Sequence, residues 1–249
     1  MEKAPNLVGT KNSKLGGSLC IIPARGNSKR FPKKNIALLG GKPLLVYSIE
    51  VAIESHIFDT ICVSSENEEI LSIAESYGVE ALKRPADLST DFVGCNKVCL
   101  HILEHFICHR EYTSFAVLWP TSPLRTTVDI REAYDILKKK DVNYVVSLIP
   151  YSHPPLRAVW VPNGYVEPYF EPKYMEMKQS QLFETLYRHD GTIIFAKTEV
   201  FLKEKEFYGT NVVPYFTPVE RAVDIDTPMD LAWAEFLLSY LPHNSTHVS

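Results

Sequence analysis

The sequence SLCIIPARGNSKRFPKK (residues 18–34) joins a short apolar run to a strongly basic segment. The run SLCIIPA (18–24) is rich in apolar and β-branched residues and ends near Pro23, which is typical of a buried strand. The segment RGNSKRFPKK (25–34) contains five lysines and arginines and no acid. Ligands bind at the carboxyl ends of strands in open α/β sheets, so we expect this basic segment to contact an anion. The alternative is a solvated surface turn.

The net charge of the whole chain is −4, so the basic segment lies in an otherwise acidic protein. Non-specific nucleic-acid binding requires a broad positive face, and we therefore expect no nucleic-acid partner. The segment matches neither GxxxxGK[ST] nor GxGxxG, which argues against a P-loop and a dinucleotide-binding loop. Arg25 and Lys29 are instead suited to neutralise a triphosphate, and Gly26 allows the backbone to approach it closely.

Strands and helices alternate along most of the chain. Apolar residues recur with helical spacing, while short apolar runs between them are typical of buried strands. Helices are predicted near residues 45–53, 66–77, 96–108, 128–140 and 230–238, and further strands at 60–64, 114–120, 144–149 and 192–196. This alternation predicts an α/β fold with a mostly parallel sheet and helices on both faces.

The pattern predicts a single domain over residues 18–240. A flexible N-terminal tail (1–17) and a polar C-terminal tail (241–249) flank it. The alternation breaks at about 151–188, where prolines and aromatic residues replace the helical and strand periodicity. Gly164 lies between two aromatic-rich stretches and predicts a hairpin within this irregular insertion.

Composition limits the class of protein. Hydrophobic residues make up 45% and charged residues 22% of the 249 residues, which are ordinary globular values. No run approaches the ~20 apolar residues of a membrane helix, so we expect no membrane association. The N-terminus lacks an apolar signal core, and five cysteines are too few for a disulfide scaffold. We therefore expect a cytoplasmic protein.

Seven segments, taken together, resemble a known family. They are ARGNSKRFPKKN (24–35), SIEVAIES (48–55), VSSENEEI (63–70), RPADLSTD (84–91), PTSPLRT (120–126), RHDG (188–191) and AVDIDTPMDL (222–231). In this order they resemble the acylneuraminate cytidylyltransferases, the CMP-sialic acid synthetase family. The resemblance implies a Rossmann-like nucleotidyltransferase fold and CTP as a substrate.

In the reaction that the resemblance implies, the anomeric 2-hydroxyl of a nine-carbon 3-deoxy-2-ulosonic acid attacks the α-phosphate of CTP. Pyrophosphate leaves and a CMP-sugar forms. Mg²⁺ assists, and Mn²⁺ is a possible substitute. The family resemblance also implies a homodimer, in which the insertion at about 151–188 acts as a dimerisation element and reaches the sugar pocket of the partner subunit.

The resemblance also assigns residues to the nucleotide. Arg25, Lys29 and Asp226 match catalytic positions, and the expected nucleotide-binding residues are Ala24, Arg25, Lys29, Lys34, Asn35, Arg84 and Cys95. Arg84 has an alternative role as the ion-pair partner of Asp87, since surface pairs of this kind are common.

Asp224 and Asp226 match metal-binding positions. They alternate with Ile225, so in an extended strand both carboxylates would face one side. Paired carboxylates with substrate phosphates suit Mg²⁺. The alternative is that Asp226 only caps the last helix, because Thr227 and Pro228 follow it.

The resemblance places the sugar near a further set of side chains, which are Trp119, Thr121, Ser122, Arg125, Arg157, Arg188 and Asp190. An acidic sugar requires an arginine as a bidentate partner. Arg157 and Arg188 are equally suited to a dimer interface.

Four residues depart from the family pattern. Trp119 replaces a glutamine, Asp190 an asparagine, Ile194 a tyrosine and Cys95 a serine. Three of them fall in the expected sugar pocket, so the reaction class is better determined than the acceptor. N-acetylneuraminate and legionaminic or pseudaminic acids are the expected acceptors, and a Kdo-type acid is the alternative.

Two rival functions remain open from the sequence. A nucleotidyltransferase for sugar 1-phosphates normally has a loop closer to GGxGTR, which PARGNSKR (23–30) does not match. A nucleotide-binding regulator without turnover would explain the altered sugar pocket. The retention of Arg25, Lys29, Asp224 and Asp226 argues against that regulator.

Overall fold

The computed structural model describes residues 16–26, 28–90, 92–108, 110–139, 141–176, 179 and 182–244. The strands are β1 (Gly17–Pro23), β2 (Leu38–Leu39), β3 (Lys42–Pro43), β4 (Thr60–Ser65), β5 (Glu80–Lys83), β6 (Tyr112–Val117), β7 (Tyr144–Pro150), β8 (Val159–Trp160), β9 (Glu167–Pro168), β10 (Tyr187–Lys197) and β11 (Val212–Phe216). The helices are α1 (Leu44–Ser55), α2 (Glu68–Ser76), α3 (Cys95–Ile107), α4 (Thr127–Leu137), α5 (Lys173–Glu176), α6 (Thr198–Glu204) and α7 (Pro228–Asn244).

Seven of these strands form one sheet in the order β11-β7-β10-β6-β1-β4-β5. β1 pairs in parallel with both β4 and β6, while β10 runs antiparallel to β6 and β7. The chain first extends the sheet from β1 towards β5, and then returns to the other side of β1 with β6. The strand order therefore reverses between β1 and β6, where open α/β sheets form ligand-binding crevices. The predicted mostly parallel sheet is confirmed.

Successive side chains of β1 point to opposite faces of the sheet. Cys20 and Ile22 pack with α1, α2 and α4, whereas Leu19 and Ile21 pack with α3 and α6. All four side chains are fully buried. Helices therefore cover both faces, as the alternation of strands and helices along the chain predicted.

A third, smaller cluster of buried apolar residues packs α7 against β2 and the start of α1. Ala234 and Leu237 of α7 pack against Leu39 and Leu44, together with Val223 and Ile225 from the preceding segment. This cluster fixes the chain on both sides of Asp224 and Asp226.

Several elements were not predicted from the sequence. β5 (EALK) is short and carries charges at both ends, and β11 contains Pro214, which is tolerated because β11 is an edge strand. α6 follows β10 directly, with no intervening loop residue. The predicted helices and strands are otherwise present, with ends that shift by a few residues.

The described residues of the insertion at 151–188 contain little regular structure. β8 and β9 pair antiparallel on either side of Gly164, which confirms the predicted hairpin. α7 continues to Asn244, past residue 240 where we expected the C-terminal tail to begin. Residues 1–15 and 245–249, most of the two predicted tails, lie outside the described residues. In the described part of the chain, no helix has the length and apolar character needed to cross a membrane.

Candidate active site

A cavity of about 400 Å³ opens at the carboxyl ends of the central strands. Pro23 at the end of β1, Arg84 after β5 and Trp119 after β6 line it. The cavity therefore lies at the reversal of strand order, which is the expected ligand crevice of this sheet.

Charges of both signs face this cavity. Four cations line it, namely Arg25, Arg30, Lys34 and Arg84, together with the carboxylates Asp224 and Asp226. Sequence reasoning counted Arg30 in the basic segment but assigned it no role. The arrangement suits a polyanion that is held by the cations and approached by a divalent metal.

The basic segment is held by hydrogen bonds to its own end and to the start of α2. The side-chain amide of Asn35 donates to the Arg25 carbonyl at 2.8 Å, and the Gly26 amide donates to Glu66 Oε1 at 2.8 Å. A Cβ atom at Gly26 would lie 2.6 Å from the Asn67 Cβ, so a larger residue would displace the loop. Ala24 is fully buried, and its amide donates to the Ser64 carbonyl. Ala24 thus anchors the loop beneath the cavity.

Glu66 joins the basic segment to Arg84. Its second oxygen accepts from the Arg84 guanidinium at 3.3 Å, so Arg84 pairs with Glu66 and not with the Asp87 that the sequence suggested. Partial burial alone would raise the pKa of Glu66. The amides of Glu66 and Gly26 and the charge of Arg84 outweigh it and hold that pKa below its usual range. Sequence reasoning missed Glu66, although it stands directly after a buried strand.

Asp226 is paired with two cations of the basic segment. Its carboxylate oxygens lie 2.8 Å from Lys34 Nζ and 2.7 Å from an Arg30 guanidinium nitrogen. Partial burial works against ionisation, but Lys34 and Arg30 lower the pKa of Asp226. Asp226 is therefore held as a carboxylate at the mouth of the cavity.

The pKa of Asp224 is shifted in the opposite direction from that of Asp226. The residue as a whole is exposed, yet the protein packed around its carboxylate and the charge of Asp226 raise its pKa. A hydrogen bond from Thr121 and the charges of Lys34 and His189 only partly offset this. Two neighbouring carboxylates, one of them destabilised by burial, form a set of hard oxygen donors that a divalent cation would stabilise.

The segment 222–226 does not form the strand that we expected. The alternation of side chains nevertheless holds, because Ile225 is fully buried while Asp224 and Asp226 line the cavity. The N-cap interactions of α7 are made by Thr227 and Asp230, whose side chains bond reciprocally to each other's backbone amides. The capping alternative for Asp226 is therefore wrong.

Comparison with known proteins assigns the sequence to a family. The family model described as Cytidylyltransferase matches residues 19–237, which include every residue that lines the cavity. The chain belongs to the cytidylyltransferase family.

Curated relatives resemble this cytidylyltransferase over most of its length. An N-acylneuraminate cytidylyltransferase of Escherichia coli is 33% identical over 87% of the chain, which spans 51% of that relative. A pseudaminic acid cytidylyltransferase of Campylobacter jejuni and a CMP-N,N'-diacetyllegionaminic acid synthase of Legionella pneumophila are each 32% identical over 88% of the chain and 95% of their own length.

Solved structures agree on the nucleotidyltransferase fold. A CMP:2-keto-3-deoxy-manno-octonic acid synthetase complexed with CTP superposes with a TM-score of 0.67 over 91% of the chain and all of that protein, at 16% identity. A 4-diphosphocytidyl-2C-methyl-D-erythritol synthase from Anaerococcus prevotii superposes with a TM-score of 0.62 over 90% of the chain and 99% of its own, at 14% identity. These likenesses support the Rossmann-like fold alone.

The cytidylyltransferase brings only some of the predicted sugar-binding residues to the cavity. Trp119 and Thr121 line it, and the Trp119 ring packs edge-on against His189 at 5.3 Å between centroids. The Ser122 hydroxyl is buried and donates to the Gly191 carbonyl at 2.9 Å. Gly191 has a φ of +75° and lies beside Asp224, so the RHDG segment borders the Asp224 carboxylate.

Asp190 is committed to the protein interior. It is 1% exposed, and its carboxylate accepts from the Ser147 hydroxyl and from the amide and hydroxyl of Thr192. These bonds connect β10 to β7, so the predicted sugar contact is replaced by a structural role.

The remaining predicted residues do not line the cavity. Arg157 donates to the Tyr174 carbonyl and stacks over Phe183 within the insertion. Arg188 and Lys29 are exposed, and the residues that line the cavity in the described part of the chain include none of these three. Cys95, by contrast, lines the cavity.

Arg125 is also placed differently from the prediction. Its guanidinium is buried and donates to the carbonyls of Thr192 and Trp119 at 2.7 and 3.0 Å and to the Ser48 hydroxyl at 3.1 Å. Burial lowers its pKa to about 10, which leaves it charged near neutrality. Arg125 therefore braces the loop after β6, which contains Trp119, against β10. Its donors bond to acceptors of the protein and not to the cavity where a sugar was expected.

Replacing Arg125 by methionine is expected to lower the free energy of unfolding by about 3 kcal/mol, because three buried acceptors lose their donor. Urea unfolding followed by circular dichroism measures this change. Arg131→Met is the matched control, since Arg131 is exposed and donates only to carbonyls at the end of α1. A stable Arg125→Met variant that lost only sugar affinity would contradict the bracing role.

Proposed function

We propose that this cytidylyltransferase transfers CMP from CTP to the anomeric 2-hydroxyl of a nine-carbon 3-deoxy-2-ulosonic acid, with release of pyrophosphate. The observation that carries the proposal is the cavity itself, where four cations face two carboxylates at the reversal of strand order. The nucleotidyltransferase fold and the family match over residues 19–237 support the same reaction class. They favour an enzyme over a nucleotide-binding regulator.

In this proposal the cations bind the triphosphate. Arg25, Arg30 and Lys34 neutralise its charge and stabilise the charge that develops on the α-phosphate and the leaving pyrophosphate. Arg84 is buried against Glu66 and holds a fixed charge in the cavity wall after β5, where we place the nucleoside. Asn35 and Gly26 keep the basic loop in position through the hydrogen bonds described above. Lys29 lies on the same loop and is proposed to contact the outer phosphates.

The carboxylates suit a magnesium ion. Asp224 and Asp226 are proposed to hold it, with phosphate oxygens as further ligands, because Mg²⁺ usually binds one or two carboxylates plus substrate phosphates. Among the described residues, no three histidine, cysteine, aspartate or glutamate side chains are grouped as a complete metal site. When bound, the ion supplies Lewis-acid polarisation of the phosphate.

The acceptor is proposed to be N-acylneuraminate or a legionaminic or pseudaminic acid. Relatives that carry these names are 32–33% identical, whereas the octonic acid synthetase is 16% identical, which makes a Kdo-type acid the weaker alternative. We place the reaction in the cytoplasm, where CTP is available. Five cysteines are too few for a disulfide scaffold, which favours a reducing compartment.

Pyrophosphate release with CTP and Mg²⁺ across a panel of ulosonic acids tests the proposed function. Release with one nine-carbon acid, and not with ATP, GTP or UTP, is the expected result. Failure to bind CTP would overturn the proposal. CTP binding without turnover on any acid of the panel would favour the regulator.

Replacing Trp119 by glutamine is expected to change the preference among nine-carbon acids about tenfold, because a hydrogen-bonding amide then replaces an apolar wall of the cavity. The KM for CTP is expected to change less. Competition between two acids in one reaction measures the preference. Phe92→Gln is a control at an exposed aromatic residue outside the cavity. Equal effects on both substrates would contradict a sugar-facing position of Trp119.

We further propose that the insertion forms a homodimer. In the single chain it exposes large apolar side chains, including Trp160 (49% exposed), Tyr165 (74%) and Tyr169 (66%). Aromatic residues are enriched at protein interfaces. Such a contact would also bring Arg157 and Arg188 near the neighbouring subunit.

Trp160→Glu is expected to yield a monomer, because it places a charge in the proposed apolar interface. Light scattering after size exclusion measures the mass. Tyr208→Glu is the matched control, since Tyr208 is also an exposed aromatic residue, at 65%, but lies outside the insertion. A dimer that survives Trp160→Glu would contradict this interface.

A further inference from the structure

Two thiols lie one helical turn apart in the wall of the cavity. Cys95 is the first residue of α3, is half-buried and lines the cavity. Cys99 is fully buried behind it, and the two Sγ atoms are 3.9 Å apart. The proposed transfer of CMP uses neither thiol.

We propose that Cys95 and Cys99 form an oxidisable pair, and that a disulfide between them weakens the binding of CTP. The inference rests on the proposed function only for the identity of the nucleotide. The oxidant is a peroxide, and the pair returns to two thiols when a dithiol reductant acts on it.

The chemistry assigns a different role to each sulfur. The sulfur of Cys95, which is reachable through the cavity, attacks a peroxide oxygen; the O–O bond breaks, and Cys95 becomes a sulfenic acid as the first water leaves. The sulfur of Cys99 then attacks the Cys95 sulfur, the S–O bond breaks, and the second water leaves with the Cys99 proton. The two thiols together lose two hydrogen atoms, and one hydrogen peroxide is reduced to two waters. Burial raises the pKa of the Cys99 thiol, so Cys99 is the second nucleophile and not the first.

The position of Cys95 makes the bond sterically accessible. The sulfurs must approach from 3.9 Å to about 2.05 Å, and Cα atoms one helical turn apart, at about 6 Å, lie within the range of disulfides. Gly94 caps α3 without any side-chain hydrogen bond. The amides of a first turn have no partner within the helix, so Cys95 can move towards Cys99 at little cost. Such a movement displaces the cavity wall that Cys95 and Val93 form.

The other cysteines do not share this geometry. Cys20 and Cys62 are fully buried in the core, away from solvent. Cys108 is exposed at the far end of α3, and its thiol donates to the Glu104 carbonyl. Cys108 is the thiol that reacts with peroxide independently, so it is removed in the test.

The test uses the full chain with Cys108→Ser. After treatment with hydrogen peroxide, free thiols are blocked with N-ethylmaleimide and the protein is digested with trypsin. Cleavage after Lys83, Lys97 and Arg110 places Cys95 in peptide 84–97 and Cys99 in peptide 98–110. The expected product is these two peptides joined by a bond that dithiothreitol breaks.

Calorimetry of CTP binding then measures the consequence. The oxidised protein is expected to bind CTP about tenfold more weakly, a change of about 1.4 kcal/mol, and reduction restores the affinity. Cys99→Ala in the same background retains Cys95 but cannot form the bond. Peroxide is therefore expected to leave the CTP affinity of this variant unchanged.

The possible results separate the two proposals. Absence of the joined peptides, or unchanged CTP affinity when they are present, overturns the inference. A reversible decrease that persists in Cys99→Ala also overturns it, because a modification of Cys95 alone would then be responsible. Failure of the reduced protein to bind CTP overturns the proposed function instead, since peptide mapping does not depend on the nucleotide.

Discussion

Replacing Asp226 by alanine is expected to lower kcat for the proposed Mg²⁺-dependent pyrophosphate release about a thousandfold, while the chain still folds. The carboxylate is one of two hard oxygen donors in the cavity, and its removal leaves Asp224 alone. Asp224 is a poor substitute because a single carboxylate then has to hold the ion that the two were proposed to share. Raising the Mg²⁺ concentration is therefore expected to restore little activity.

The fold survives because Asp226 contributes little to packing. Its side chain is 31% exposed, and Thr227 and Asp230 supply the cap of α7. Thermal unfolding followed by circular dichroism is expected to show a small change. The matched control is Asp87→Ala, which removes a carboxylate near the cavity but outside its lining. Full activity of Asp226→Ala would show that the metal assignment is wrong.

Arg25→Ala is expected to lower kcat/KM for CTP by about a hundredfold, because one cation of the proposed triphosphate site is lost from a partly enclosed cavity. Arg25 lines the cavity at the end of β1, and Asn35 holds its carbonyl. The guanidinium cannot be replaced by water at equal energy, since it provides charge as well as hydrogen bonds. Steady-state rates over a range of CTP concentrations measure the effect.

Lys83→Ala is the control for Arg25→Ala. Lys83 is an exposed cation that pairs with Glu68 at the end of β5, outside the cavity lining. It removes one positive charge from the same side of the sheet without touching the proposed site. An equal decrease in both variants would attribute the effect to general electrostatics and contradict a direct contact by Arg25.

The candidate site was predictable where the chemistry is local in sequence. The apolar run 18–24 predicts a buried strand. The basic residues follow it directly in the sequence, so they lie at the carboxyl end of that strand. The alternation of Asp224, Ile225 and Asp226 likewise indicates two carboxylates on one side, although no strand forms there. In both cases a few adjacent residues contain the information.

Arg125 and Asp190 show where such reasoning fails. Both carry charges, both lie in segments that resemble the acylneuraminate cytidylyltransferases, and both are buried in hydrogen-bond networks. Whether a charged side chain faces a ligand or braces the core depends on which strands lie beside it. The spacing of apolar residues along the sequence does not show which strands become neighbours in the sheet. Glu66 was missed for the same reason, because its partners Gly26 and Arg84 come from distant parts of the chain.

The sequence by itself determined the alternating α/β class, the first strand with its basic loop, the irregular insertion and the family. Each of these rests on the order of residues within short segments, where side-chain period and turn chemistry act directly. Only the tertiary structure decided that Lys34 meets Asp226, 192 residues away, and that Cys95 lies in the same cavity. Such contacts depend on how the strands are ordered across the sheet. The strand order is the one that buries apolar surface and pairs strands most favourably over the whole chain. No single segment of the sequence contains that information.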